Sequence, residues 1–98
     1  MVFAMVPAVV GASAGVEAGL SAELAAAAAA VAAGLVPPPM GADGDSAKFS
    51  ALAAAVGAQH VAISEQHATM RGLYAGSQSL AVMTTVATEA MRTAATAI

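Results

Sequence analysis

His60, His67 and Tyr74 stand seven residues apart. On a helix that spacing lines them along one face, and the first chemistry it suggests is metal binding or proton transfer. Seven residues rise about 10 Å, too far for two imidazoles to share one ion, since ligands on a helix need spacings of three or four. The three therefore read as a polar shoulder beside an apolar seam. Ser64 lies four after His60 and three before His67. A serine–histidine contact without an orienting acid and an oxyanion hole is not a nucleophilic site, and Glu65 points elsewhere. Asp43 and Asp45 flank Gly44, but a calcium site needs six or more oxygens. There is no cysteine, hence no disulfide, no thiolate metal site and no thiol nucleophile. Nothing reads as a strand feeding a glycine-rich phosphate loop. These residues predict no enzyme, no metal and no cofactor.

The elements that must position such residues belong to a chain of 98 residues and 9.4 kDa, one small domain at most. Thirty residues are alanine, so the 59% hydrophobic content buries little area and stabilises a core weakly. The chain is not expected to be stable as a lone monomer. Its net charge is −3 and its only basic residues are Lys48, Arg71 and Arg92, which excludes a nucleic-acid footprint. The apolar start from Met1 to Val16 lacks the basic region of a signal peptide, because Lys48 is the first basic residue. The uncharged stretch from Leu24 to Val36 is too short to span a bilayer. Gly72 to Thr88 is interrupted by Ser77, Gln78, Ser79, Thr84 and Thr85. Membrane insertion is not expected.

The chain divides once, at a Pro/Gly/Asp joint over 36–45 that includes Pro37, Pro38 and Pro39. A first helix is expected over about 7–35, with Pro7 at its first position. Its large apolar residues fall at Val9, Val16, Leu20, Leu24, Val31 and Leu35, a one-sided seam with Glu17 and Glu23 off it. A second helix is expected over about 46–95, capped by Asp45 or Ser46. Its seam runs in sevens through Phe49, Val56, Ile63, Met70, Ser77, Thr84 and Met91, with Leu52, Gln59, Gln66, Leu73 and Leu80 as companions. Gly72 and Gly76 weaken that helix locally. Gly11, Gly15 and Gly19, and again Gly72 and Gly76, are four apart, the spacing at which helix backbones approach closely. The fold class is all-α, an antiparallel two-helix hairpin over 1–98. Its flanks are alanine and glycine where a solvated face would carry charge. The hairpin is therefore expected to complete a four-helix bundle with a partner. The residues assigned to that interface are Val16, Leu20 and Leu24 from the first helix. Phe49, Leu52, Val56, Ile63, Met70 and Leu73 come from the second. The same seam would serve a homo-oligomeric bundle. A small membrane-active protein is a further alternative, disfavoured by the scarcity of basic residues to attract anionic lipid.

This outline resembles the PE family of mycobacteria and related actinobacteria. The likeness lies in Val6-Pro7, an alanine-rich first helix, a Val-Pro-Pro joint with acidic residues, and a second helix of matching length ending in Ala87-Thr88-Glu89-Ala90. It covers nearly the whole chain. The resemblance implies a non-enzymatic helical hairpin that pairs with a PPE-family-like protein as a heterodimer. It also implies export of the pair by type VII (ESX) secretion machinery, with chaperone contact mainly through the partner. The location implied is secreted or cell-envelope associated, and cytoplasmic before export. Two positions depart from the family: Pro7-Ala8 stands where it has Pro-Glu, and Thr85 stands where its export signal has Tyr four residues before the acidic Glu89. The only tyrosine, Tyr74, is followed at the acidic position by Gln78. The Trp-x-Gly turn of the related small secreted hairpins is missing. Thr85→Tyr completes the Tyr-x-x-x-Glu pattern and is expected to raise the amount of this chain in culture filtrate. Unchanged export would show that the motif is not the limiting feature.

Overall fold

In a computed structural model, which describes residues 4–98, the chain is an all-helical antiparallel hairpin measuring 84 × 20 × 19 Å. The apolar start at positions 1–3 lies outside the described residues. Helix α1 runs Pro7–Ala32 and a single 3-10 turn, Ala33–Leu35, closes it. Helix α2 runs Gly44–Thr96 without a break, so Gly72 and Gly76 do not end or divide it. The helices are not matched in length: α1 has 26 residues and α2 has 53.

The helix starts follow their local chemistry. Pro7 occupies the first turn of α1 with no side-chain cap, and the Val6 carbonyl accepts from the amides of Val9 and Val10, both at 3.1 Å. For α2 the cap is Asp43, earlier than the expected Asp45 or Ser46. One Asp43 oxygen accepts from the Ser46 amide at 3.0 Å and the other from its hydroxyl at 2.7 Å. Spacing decides this, since an N-cap side chain reaches the amide three residues on.

The stripe that joins the helices differs from the expected one. Its buried members are Ala14 and Ala28 on α1 and Gly57, Ala68 and Ala75 on α2. Half-buried Val10, Glu17, Ser21 and Leu24 complete the α1 side, and Ser50, Ala54, Val61, Ser64, Gln78 and Val82 the α2 side. On α2 these fall in two sevenfold series, 50-57-64-78 and 54-61-68-75-82. The first series is displaced by one residue from Phe49-Val56-Ile63-Met70. One residue is about 100° of rotation, so the large seam of α2 turns to the side of its contact with α1. Val9, Val16, Leu20 and Val31 are likewise exposed on α1, while Leu24 and Leu35 are half-buried. Small residues, not the large seams, hold the helices together.

Close approach is concentrated at one glycine. A Cβ on Gly57 would sit 2.7 Å from both the Leu35 Cβ and the Leu35 carbonyl oxygen. The four-apart glycines do not serve this purpose within the hairpin. Gly11, Gly15, Gly19 and Gly76 have nothing within 4 Å of a built Cβ, and Gly72 meets only Ser21 Oγ at 3.3 Å. Gly57→Ala is expected to lower stability by about 1–3 kcal/mol, because a backbone carbonyl cannot rotate out of the way. Gly15→Ala is expected to raise it by up to about 1 kcal/mol through helix propensity alone. Thermal melts by circular dichroism check both, and equal effects would contradict the assigned approach.

Hydrogen bonds from the Ser46 hydroxyl first, and then its amide, hold the Asp43 carboxyl below its ordinary value of 3.8. The folded-state value is depressed, so the cap's ionic contribution is whole above 3.8 and is lost as pH falls through the lower folded value. Asn at this position still caps but does not titrate. Asp43→Asn is therefore expected to melt with a flatter pH dependence than the parent between about pH 5 and 2. Parallel profiles would show that the cap carries none of the acid sensitivity.

Candidate functional site

Because the inner stripe is small, the bulky side chains lie outside. Phe49 is 62% exposed, Val56 59% and Ile63 52%. Leu52, Met70 and Leu73 on α2 and Val16 and Leu20 on α1 are also exposed, and Leu24 is half-buried. The antiparallel arrangement brings much of this set to one side of the groove between the helices. Leu35 shares one hollow with Phe49, Leu52 and Val56, and His60 stands at its edge. Further along, Leu24 shares a second hollow with Met70, His67 and Tyr74. Leu20 and Leu24 border a third, beside Arg71. Ile63 sits midway between Val56 and Met70 in the same sevenfold series. The opposite flank of α1, including Gly11, Gly15 and Gly19, is smooth.

Polar groups set the register beneath this face. Ser21 Oγ donates to the Ala68 carbonyl and Ser50 Oγ to the Pro37 carbonyl, each at 2.6 Å. Arg71 Nη1 donates to Glu17 Oε2 at 2.9 Å, and Gln78 Nε2 to Ser13 Oγ at 2.9 Å. Glu17, expected off the seam, is instead half-buried on the inner side through its partnership with Arg71. The pair is partly solvated and contributes at most about 1 kcal/mol; its larger effect is on pairing register. Gln78 Oε1 is buried with no partner.

The candidate chemistry of the histidines does not assemble. Ser64 Oγ donates to the His60 backbone carbonyl at 2.9 Å, the ordinary return of a helical serine to the preceding turn. Among the described residues no three His, Asp or Glu side chains form a metal-binding group. His60, His67 and Tyr74 stand on the shoulder of the apolar face, all exposed.

Thr85 lies at the edge of the paired part of the hairpin and Glu89 beyond it. From the Gln78–Ser13 contact, α2 continues 18 residues to Thr96 whereas α1 reaches back only six to Pro7. Roughly a dozen residues of α2, about 18 Å, thus extend past the start of α1. There Glu89 accepts from Arg92 at 2.9 Å on an exposed surface, and Thr85 is half-buried.

Pro7–Leu35 is long and apolar enough to cross a membrane, with a mean hydropathy of 1.6 over its most apolar 18 residues and little of that stretch buried. The expected barrier was length, which the whole helix satisfies although its uncharged part does not. Helices covered by protein meet the same measure, and Glu17 and Glu23 stand within this one.

No protein-family model, characterised protein or solved structure matches this chain.

Proposed function

We propose that the protein is a non-enzymatic helical hairpin that forms a heterodimer with a PPE-family-like protein, completes a four-helix bundle with it, and is exported with it by a type VII (ESX) secretion system. The observation that carries this reading is the placement of its bulk: the hairpin spends alanine, glycine and serine on its own seam and leaves Phe49, Val56, Ile63 and Met70 uncovered in register along one side. Exposed apolar stripes of this extent mark a surface that another protein covers, and obligate interfaces are large and apolar. The family resemblance supplies the kind of partner and the route of export. The overhanging end of α2 leaves Glu89 exposed past the start of α1, with half-buried Thr85 at the edge of the pairing, where a degenerate signal would be read beside one on the partner.

A homo-oligomeric bundle uses the same face and is the second reading. Co-expression with the neighbouring open reading frame, followed by affinity purification, separates the two. Ile63→Asp places a charge at the middle of the face at a cost of several kcal/mol once it is covered. It is expected to weaken the complex at least about hundredfold while leaving helix content unchanged, since Ile63 is 52% exposed in the hairpin. An intact complex with this variant would contradict the placement of the interface.

A further inference from the structure

We propose that the cleft under the proline joint is an anchor site for the guanidinium of an arginine side chain on the protein partner. The proposal rests on the partner reading for the source of that arginine; the chemistry of the cleft stands apart from it.

Pro37, Pro38, Met40 and Phe49 wall a hollow of about 280 Å³ at the closed end of the hairpin. Small-molecule sites usually enclose roughly 300–1,000 Å³, so this one suits a single long side chain. Its polar groups are one-sided. The prolines have no N–H. Ser50 Oγ donates to the Pro37 carbonyl, and the Ser46 amide and hydroxyl both donate to Asp43. No side-chain donor of the lining is left over. What remains is acceptor capacity, chiefly the carboxylate of Asp45 at the rim. Lys48 stands three residues on from Asp45, yet the ion pairs among the described residues are Glu17–Arg71 and Glu89–Arg92. Asp45 is the charged group of the lining, and with Asp43 beside it the two carboxylates outweigh Lys48 and the roughly half positive charge of a helix N-terminus taken together, so the mouth is electronegative.

This combination selects its occupant. An acid or a carbonyl finds no side-chain donor, and a purely apolar knob would desolvate Asp45 without pairing it. A guanidinium meets both demands: its plane lies against the Phe49 ring and the proline faces, and its N–H groups donate to Asp45. A lysine ammonium is a compact, strongly hydrated charge that offers the flat walls no matching plane.

The test is an NMR titration of the full chain with Nα-acetyl-arginine amide, set against the near-isosteric neutral Nα-acetyl-citrulline amide. Amide shifts are expected to concentrate at Met40, Asp45 and Phe49. Citrulline, or the variant Asp45→Asn with arginine, is expected to bind at least about fivefold more weakly. Asp45→Asn leaves the Asp43 cap in place, so folding is not at issue. Equal binding by citrulline, shifts spread along α2, or no response to arginine overturns the site. In the co-purified complex, Asp45→Asn is expected to weaken partner binding about fivefold or more. A cleft that binds the arginine probe in a complex indifferent to Asp45→Asn assigns the site to free guanidinium compounds and overturns the partner as its occupant. Failure to obtain any complex overturns the partner reading and its arginine together, while the titration still judges the cleft.

Discussion

Everything distinctive in this molecule depends on how little space the two helices leave between them. Ala14 and Ala28 on α1 and Gly57, Ala68 and Ala75 on α2 are the buried residues of the seam, and at Gly57 the chain passes so close to Leu35 that a single methyl would collide with backbone. A seam that tight admits Leu24 and the valines only at its margins, where they stay half-buried. Bulky side chains are forced outward, and the hairpin becomes a scaffold whose apolar payload lies on its surface. The same constraint limits its stability, because alanine methyls bury little area per residue. The few polar bridges, Ser21 to Ala68, Ser50 to Pro37 and Arg71 to Glu17, act on register more than on energy.

Length adds a second asymmetry. With α2 twice as long as α1, the closed end carries the proline joint and its cleft, the middle carries the apolar face, and the far end is α2 with no helix among the described residues opposite its last turns. Three regions with different surroundings are thus laid out along one axis. The threonines of the far end return their hydroxyls to their own helix, Thr84 to Leu80, Thr88 to Thr84 and Thr93 to Glu89. That leaves Met83, Val86 and Met91 as its exposed bulk.

Much of this was legible from residue types. The prolines marked the joint, alanine content and Pro7 marked the helices, and the sevenfold spacing from Phe49 marked a coherent face. Which face met which was not legible. Hydropathy draws attention to the largest side chains, and here they are the outward ones, while a working seam of alanine, serine and glycine looks like background in a chain with thirty alanines. Gly57 belongs to no repeat of glycines, yet it is where the backbones meet. Glu17 is off the apolar seam by spacing; its inward position needs Arg71, which lies 54 residues away and cannot be paired with it by local pattern. Asp45 and Ser46 lie nearer the first apolar residue of α2 and so draw the capping assignment, although the capping distance of three residues selects Asp43.

The central claim is that this chain exposes an interface rather than a finished surface. Size-exclusion chromatography with light scattering on the purified chain alone tests it most directly. The account predicts that the lone chain keeps its helices but does not stay a 9.4 kDa monomer, associating into a larger soluble species until a partner covers Phe49, Val56, Ile63 and Met70. A monodisperse, fully helical monomer of that mass, stable to dilution and warming, would contradict it.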